Sequence, residues 1–582
     1  MCILLVLIST VCLAMGGPSA EEAARRVTAR LRRAVEGEEG ALEVEDACLA
    51  AEEFALVVGN EERLLAAGAA VPLVGVLVGV GWDAAVPHAA GTLCCLATGS
   101  DARAEAVDEA GAVPALVRVL ERAEAGSEAA ECAAMALACI TDGASDAPRE
   151  AAVEAGAGTA LARILLGVRP GSTAALHAAS TLRNLAHGSE ARAEAVVRAG
   201  AVPALVRVVL EAERGSAATE HAVGALNNVL AASEAPPREA LVQAGAVAAL
   251  VGVLRGEDSA AEVAALAALA LFGIVKGPDG QREAVVQAGA LPALVHVLQG
   301  THPGSHAASS AALVLAGFAE RGSDALRETL AHAEVVPALV HVLREADPES
   351  DAVANAALAL HEIGRASDAL LDAVSEAGAA AALVRVLLGA DPGSDACAQA
   401  VDALCALAVG SDARAEAVVK AGAAAALVRM LHDADPRSDA AELAAWALHG
   451  ITDGSDVLRE SVAQAGAVPA LVRVLQGADP GSDVAEHAAG AIHNLASGPD
   501  ARTDAVVQGG AVPALLRAVG EGTEAGSGAR MIAAKALRDL TGSSEAASAI
   551  RDAAVTLRAA RETFGGDADL VHEITDLLNR LS

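Results

Sequence analysis

A histidine and an asparagine seven residues apart occur three times: His177 with Asn184, His221 with Asn228, and His487 with Asn494. Seven residues are two helical turns, so each pair shares one face of a helix. Such a pair offers hydrogen bonding rather than bond-making chemistry. The amide donates and accepts, and the imidazole changes charge between about pH 5 and 8. The same register position elsewhere holds His88, Asn355 and Gln399. These histidines stand a repeat apart and no Cys-x-x-Cys occurs, so no metal site is expected. The chain has no nucleophile elbow, phosphate-binding glycine loop, zinc signature or kinase set, and no carboxylate pair stands out from the periodic pattern. It reads as a non-enzyme without a cofactor.

Composition narrows the field further. The 582 residues include 76 acidic and 41 basic side chains, a formal net charge of −35. So acidic a surface repels phosphate backbones, and nucleic acid is not an expected partner. Hydrophobic residues reach 54 %, enough for a core, but aromatics are only 1 %. Ring-lined enzyme pockets therefore lack material, and packing must come from Ala, Val and Leu. The nine cysteines follow no disulfide-framework spacing, and Cys94-Cys95 is their one close pair. They read as small buried thiols in a reducing compartment.

Residues 1–20 are distinct. Cys2 to Met15 is an uncharged, mostly apolar run followed by Gly-Gly-Pro-Ser-Ala. It is short for a bilayer span, which needs ~20 residues. Three readings stay open: a secretory signal or short anchor, an apolar leader packed on the first repeat, or a mis-assigned start. Membrane association is expected only through this segment, and a cytoplasmic location otherwise.

Repeats must position the His–Asn pairs. The phrase Ala-Gly-Ala-Val-Pro-Ala-Leu-Val-Arg-Val-Leu recurs with its glycine at 68, 111, 156, 200, 245, 289, 378, 422, 466 and 510, and with Glu334 replacing it once. The period is 44, give or take one residue. Eleven copies occupy residues 58–542 and leave no room for an inserted catalytic domain.

Each copy reads as three helices. The first is short, capped by Ser or Asp, and ended by the anchor glycine. The second is expected to begin three residues after the anchor, with Pro114, Pro203, Pro292, Pro337, Pro469 and Pro513 at its first position. It is apolar except for one Arg or His expected to face solvent. A loop such as Asp391-Pro-Gly-Ser-Asp395 leads into an Ala-rich third helix. Asp439 with Glu442, and Asp483 with Glu486, have capping-box spacing there. The uncharged stretch Leu64 to Trp82, with Gly75-x-x-x-Gly79, reads as a buried second helix in register rather than a membrane span. Residues 21–57 and 543–582 read as terminal helical caps, which stacked repeats need.

The three-helix unit, its Gly between helices one and two, and the endings Leu182-Arg-Asn184-Leu-Ala186 and Ile492-His-Asn494-Leu-Ala496 resemble the armadillo repeat. The resemblance covers about 485 residues. It implies an all-α fold, a right-handed α-solenoid of eleven repeats whose third helices line a concave groove. It also implies a non-catalytic scaffold for protein partners. In the import adaptors and catenins of that family, a third-helix Asn holds the main chain of an extended peptide, and a Trp one turn earlier packs its side chains. Asn184, Asn228 and Asn494 occupy the Asn position, Cys95 and Cys139 fall in the same column, and Trp446 takes the Trp position before Gly450. The dense Asn–Trp ladder is missing, which disfavours nuclear-import cargo binding. A membrane-tethered or secretory-pathway adaptor, resembling the vacuole-anchored members, is the alternative. The expected groove residues are His88, His177, Asn184, His221, Asn228, Asn355, Gln399, Trp446, His487 and Asn494. Glu131, Glu220, Glu362, Asp402, Glu442 and Glu486 on the same helices favour a Lys- or Arg-rich segment. Replacing Asn184 and Asn228 together is expected to weaken binding and leave the melting temperature unchanged.

Overall fold

The anchor glycines turn the chain where the pattern demands it. Gly111, Gly200 and Gly466 have φ of 86°, 75° and 80°, in the left-handed region that only glycine enters without strain. Glu334 adopts the same conformation at φ 60°, the one non-glycine to do so among the described residues. The computed structural model describes residues 20–36, 41–57, 59–81, 83–143, 145–232, 235–256, 261–332, 334–498, 500–520, 528–564 and 567–581. Among these are 38 helices and no strand, so the fold is an all-α solenoid of repeats. The apolar leader, with its signal, anchor and packed-leader readings, falls outside the described residues save for Ala20. No helix among the described residues is long and apolar enough to cross a membrane, and the stretch around Gly75 forms the nine-residue helix Ala70–Val78.

Repeat four shows the unit: Glu190–Arg198, Ala201–Glu211 and Ala217–Ala232. Its second helix starts directly after Gly200, two residues earlier than expected, so Pro203 is the third helical residue. Proline is tolerated there because the first four N–H groups of a helix have no internal acceptor. Most third helices follow a serine that caps them, although the first described one, Val86–Ala97, follows Ala85. The Oγ atoms of Ser438 and Ser482 accept the amides of Ala441 and Ala485. Asp439 and Asp483 are already helical, which corrects the capping-box reading by one residue. In the preceding loop, Asp391 Oδ1 accepts the Gly393 amide at 2.9 Å, and Ser394 Oγ donates to the Asp391 carbonyl at 2.7 Å.

The chain forms two compact units, residues up to Ala293 and residues from Leu294. In the first, the helices Ala20–Glu36 and Ala41–Ala55 precede five repeats, and third helices Val86–Ala97, Glu128–Thr141, Thr173–Ala186, Ala217–Ala232 and Ala261–Val275 pack each on the next. In the second, third helices from His306–Arg321 to Gly528–Leu540 do the same and end on Ala568–Leu581. The contact faces are mostly small residues: Ala133, Ala134 and Ala136 are fully buried, as are Ala444, Ala445 and Ala447. Small side chains allow close helix approach, which is how a core forms here almost without rings.

Arginine joins repeat to repeat. Several second-helix arginines, expected in solvent, reach back to the C-terminal carbonyls of the preceding second helix, while Arg118 bonds to Pro114 of its own helix. Arg207 donates to Leu165 and Leu166 at 2.9 and 3.0 Å, Arg385 to Leu343 and Ala346, and Arg473 to His432 and Ala434. A first-helix column is buried outright: Arg149, Arg192, Arg282, Arg414 and Arg502. Arg192 donates to the Leu185 and His187 carbonyls, and Arg502 to those of Leu495 and Ser497. These groups end a third helix, where carbonyls lack internal donors and positive charge is favoured. A planar fork with five N–H groups suits that task and an ammonium does not, consistent with only three lysines among 41 basic residues.

Candidate functional site

Third helices carry the candidate residues, from His88 in a first turn to Asn184, Asn228 and Asn494 near the C-terminal ends. Nine of the ten are half-buried, and Trp446 is exposed at 37 %. The stacking gathers six of them into two neighbourhoods, one in each unit.

The first holds His177, Asn184, His221 and Asn228. Arg183 Nη1 lies 3.4 Å from His221 Nδ1. Burial holds the His177 imidazole below its ordinary pKa, against the pull of Glu131. Burial does the same to His221, reinforced by the Arg183 charge. Both rings are therefore kept neutral by their surroundings. The asparagines face their own chain as well as solvent. Asn184 Nδ2 donates to the Ala138 carbonyl at 3.2 Å and to Thr141 Oγ1 at 3.3 Å, and Asn228 Nδ2 donates to the Arg183 carbonyl at 3.0 Å. Asn494 reaches the His449 carbonyl and Thr452 Oγ1, both at 3.4 Å, and Asn355 reaches Ser309. These amides tie adjacent third helices, which removes the ground for expecting their loss to be neutral for stability. Their Oδ1 atoms remain the groups to offer a partner.

The second neighbourhood surrounds Trp446. It opens as a cavity of about 540 Å³ lined by Asp395, Asp402, Asp439, Glu442, Trp446 and His487, with the Pro392–Ser394 turn at its edge. Four carboxylates face one histidine, and no Lys or Arg lines it. Burial raises the Asp402 carboxyl above the usual carboxylate range, with His361 opposing. The His487 ring lies 5.9 Å from that of His449, whose pKa is lowered by burial and then by His487. Gly490 admits that arrangement, because a Cβ there would fall 2.6 Å from the His449 ring. Trp446 and His487 thus meet in one site, although Gly450 left Trp446 without its expected Asn.

The remaining candidates are dispersed. His88 Nδ1 sits 2.7 Å from Glu52 Oε2 on the cap helix Ala41–Ala55. Glu362 is nearly buried and pairs with Arg365 at 3.2 Å. Gln399 is half-buried and does not line the Trp446 cavity. Asp395 and Asp439 were read only as helix-start residues. The missed signal was spacing: Asp439, Glu442, Leu443 and Trp446 fall at i, i+3, i+4 and i+7, one helix face.

Comparison with known proteins agrees with this architecture. The armadillo/beta-catenin-like repeat family model matches residues 278–314 and 455–497. The crystal structure of an engineered protein is similar at 32 % identity and a TM-score of 0.64, covering 74 % of this chain and 99 % of that one. No curated protein matches the chain. Matched repeats, an engineered relative spanned almost end to end, and three-helix units stacked on their third helices lead to one assignment: the chain belongs to the armadillo-repeat family.

Proposed function

We propose that the chain is a non-catalytic protein-interaction scaffold whose third-helix face takes an extended partner segment, with one Lys or Arg of that segment entering the Trp446 cavity. The repeat family supports the scaffold role. The carrying observation for the partner is the cavity itself: an exposed indole beside Asp395, Asp402, Asp439 and Glu442, with no cation of the chain's own lining it. A cation over an indole gains ~0.5–2 kcal/mol, and nearby carboxylates add attraction that falls with salt. The Asn Oδ1 atoms would accept main-chain amides, at ~0.5–1.5 kcal/mol net each.

Trp82 and Trp446 are the only tryptophans, so Trp82→Phe makes the cavity its own reporter. Synthetic extended peptides with Lys or Arg at alternate positions should change Trp446 emission saturably and more weakly at high salt. Asp402→Asn with Asp439→Asn should lower affinity at least ~10-fold, about 1.4 kcal/mol. An equal response to peptides with Gln in place of every basic residue would sink the proposal.

A further inference from the structure

Cys94 lies on Val86–Ala97 and Cys139 on Glu128–Thr141, the packed third helices of repeats one and two. Both are free thiols, and their Sγ atoms are 2.6 Å apart. That is well inside the ~3.5–4.0 Å of ordinary nonbonded contact and close to the ~2.05 Å of a covalent S–S bond. It is too close for a bridging metal, because two thiolates on a tetrahedral ion at ~2.3 Å each stand more than ~3.5 Å apart. No group of three or more metal-ligating side chains occurs among the described residues. The two partners differ in exposure: Cys94 is buried, 8 % exposed, and Cys139 is half-buried.

We propose that Cys94 and Cys139 form a site of reversible covalent modification, a disulfide between repeats one and two made by exchange with a low-molecular-weight disulfide. The Cys139 thiolate attacks one sulfur of the reagent RSSR. The first RS⁻ leaves with the bonding pair and is protonated, and a mixed disulfide remains on Cys139. The Cys94 thiolate then attacks the Cys139 sulfur and expels the second RS⁻. Two protein thiols are oxidised, one RSSR is reduced to two RSH, and the two protein protons end on the products. The asymmetry of the pair assigns the roles. Cys139 is the more exposed sulfur and meets the reagent first, and its contact with Cys94 lowers its thiol pKa, which favours the thiolate. Cys94 is buried, which raises its thiol pKa and leaves it as the resolving sulfur. The cross-link would fix the spacing of the two third helices next to Cys95 and Cys132, independently of the Trp446 cavity.

Oxidised glutathione added to the full chain tests this. The expected product is a loss of two hydrogens in intact mass and a peptide pair linked Cys94 to Cys139, reversed by dithiothreitol. Cys94→Ser should trap glutathione on Cys139, Cys139→Ser should abolish the link, and Cys95→Ala should leave it intact. A link through Cys95 or Cys132, a stable glutathione adduct on the unmodified chain, or no reaction each overturns the proposal.

Discussion

Arg414 Nη1 meets Asp372 Oδ1 at 2.7 Å across a repeat boundary, while Nη2 of the same guanidinium reaches Asp368 Oδ1 at 2.8 Å and the Val409 carbonyl at 2.7 Å. One side chain therefore binds the first helix of repeat eight, the end of its third helix, and the first helix of repeat nine. The guanidinium is 2 % exposed, but its carboxylates are 76 % and 52 % exposed. The ion pairs alone are thus worth little, and the part-buried bond to the helix-end carbonyl, with the packing of the buried side chain, matters more.

Arg414→Ala is expected to cost ~2–4 kcal/mol, because it strands that carbonyl and leaves a gap among first helices. Arg414→Lys should recover only part, since an ammonium cannot reach all three acceptors at once. In a stacked array the loss is local. Amide exchange should speed up in Asp368–Glu376 and Asp395–Ala408 and stay unchanged in the first three repeats. Wild-type protection in the lysine variant would mean that the fork is not what holds the boundary.

Glu334→Gly should stabilise repeat seven. Glu334 occupies the left-handed region at φ 60°, makes no side-chain cap bond, and is exposed. Relief of ~1–2 kcal/mol of backbone strain exceeds the ~0.5–1 kcal/mol that glycine adds to the unfolded chain's entropy. A net gain of about 0.5–1 kcal/mol should slow amide exchange in Val335–Glu345. Faster exchange there would show that the carboxylate has a stabilising role which its geometry does not reveal.

The period of the anchor residues made the three-helix unit legible, because each anchor must turn left-handed and each second helix must bury Leu and Val. Helix starts were less legible. Pro203 can stand anywhere in a first turn, and Ser438 and Asp439 both cap well, so residue type alone left the register one or two positions loose. The second-helix arginines were expected in solvent, and the first-helix column was not singled out, for a different reason. Arg207 and Arg414 look like surface charges in any single repeat, and their acceptors, Leu165 and Asp372, belong to the repeat before. A column of identical residues one period apart marks such contacts, but only once adjacent copies are laid side by side. The Trp446 cavity was half legible: Trp446 and His487 were singled out, whereas Asp395 arrives from the neighbouring copy.

Asn184→Ala with Asn228→Ala should lower stability as well as remove partner contacts. Each amide donates to a carbonyl of the preceding third helix, Ala138 for Asn184 and Arg183 for Asn228. A lost half-buried bond costs ~0.5–1.5 kcal/mol, so the double variant should lose ~1–3 kcal/mol. Chemical denaturation followed by circular dichroism measures the loss. An unshifted transition would mean the carbonyls are satisfied equally well by water, and that the asparagines' contribution lies wholly in binding.

Acid should loosen this face before it protonates the surface carboxylates. The pKa values of His177, His221, His449 and His493 are all lowered, with burial the first cause in each. Above the ordinary histidine value of ~6.5 both folded and unfolded chains hold these rings neutral, and stability does not depend on them. As pH falls through that value the unfolded chain binds protons first, so stability decreases until the folded-state values are passed. Asp402, whose pKa is raised by burial, contributes with the opposite sign. Around the first pair, Glu131 opposes burial at His177; at His221, Glu220 and Asp142 oppose it while Arg183 and His177 reinforce it. Between about pH 7 and 5, exchange in Thr173–Ala186 and Ala217–Ala232, corrected for intrinsic rates, should accelerate. In His177→Gln with His221→Gln that acceleration should largely disappear. The same pH dependence in both proteins would place the acid sensitivity elsewhere in the chain.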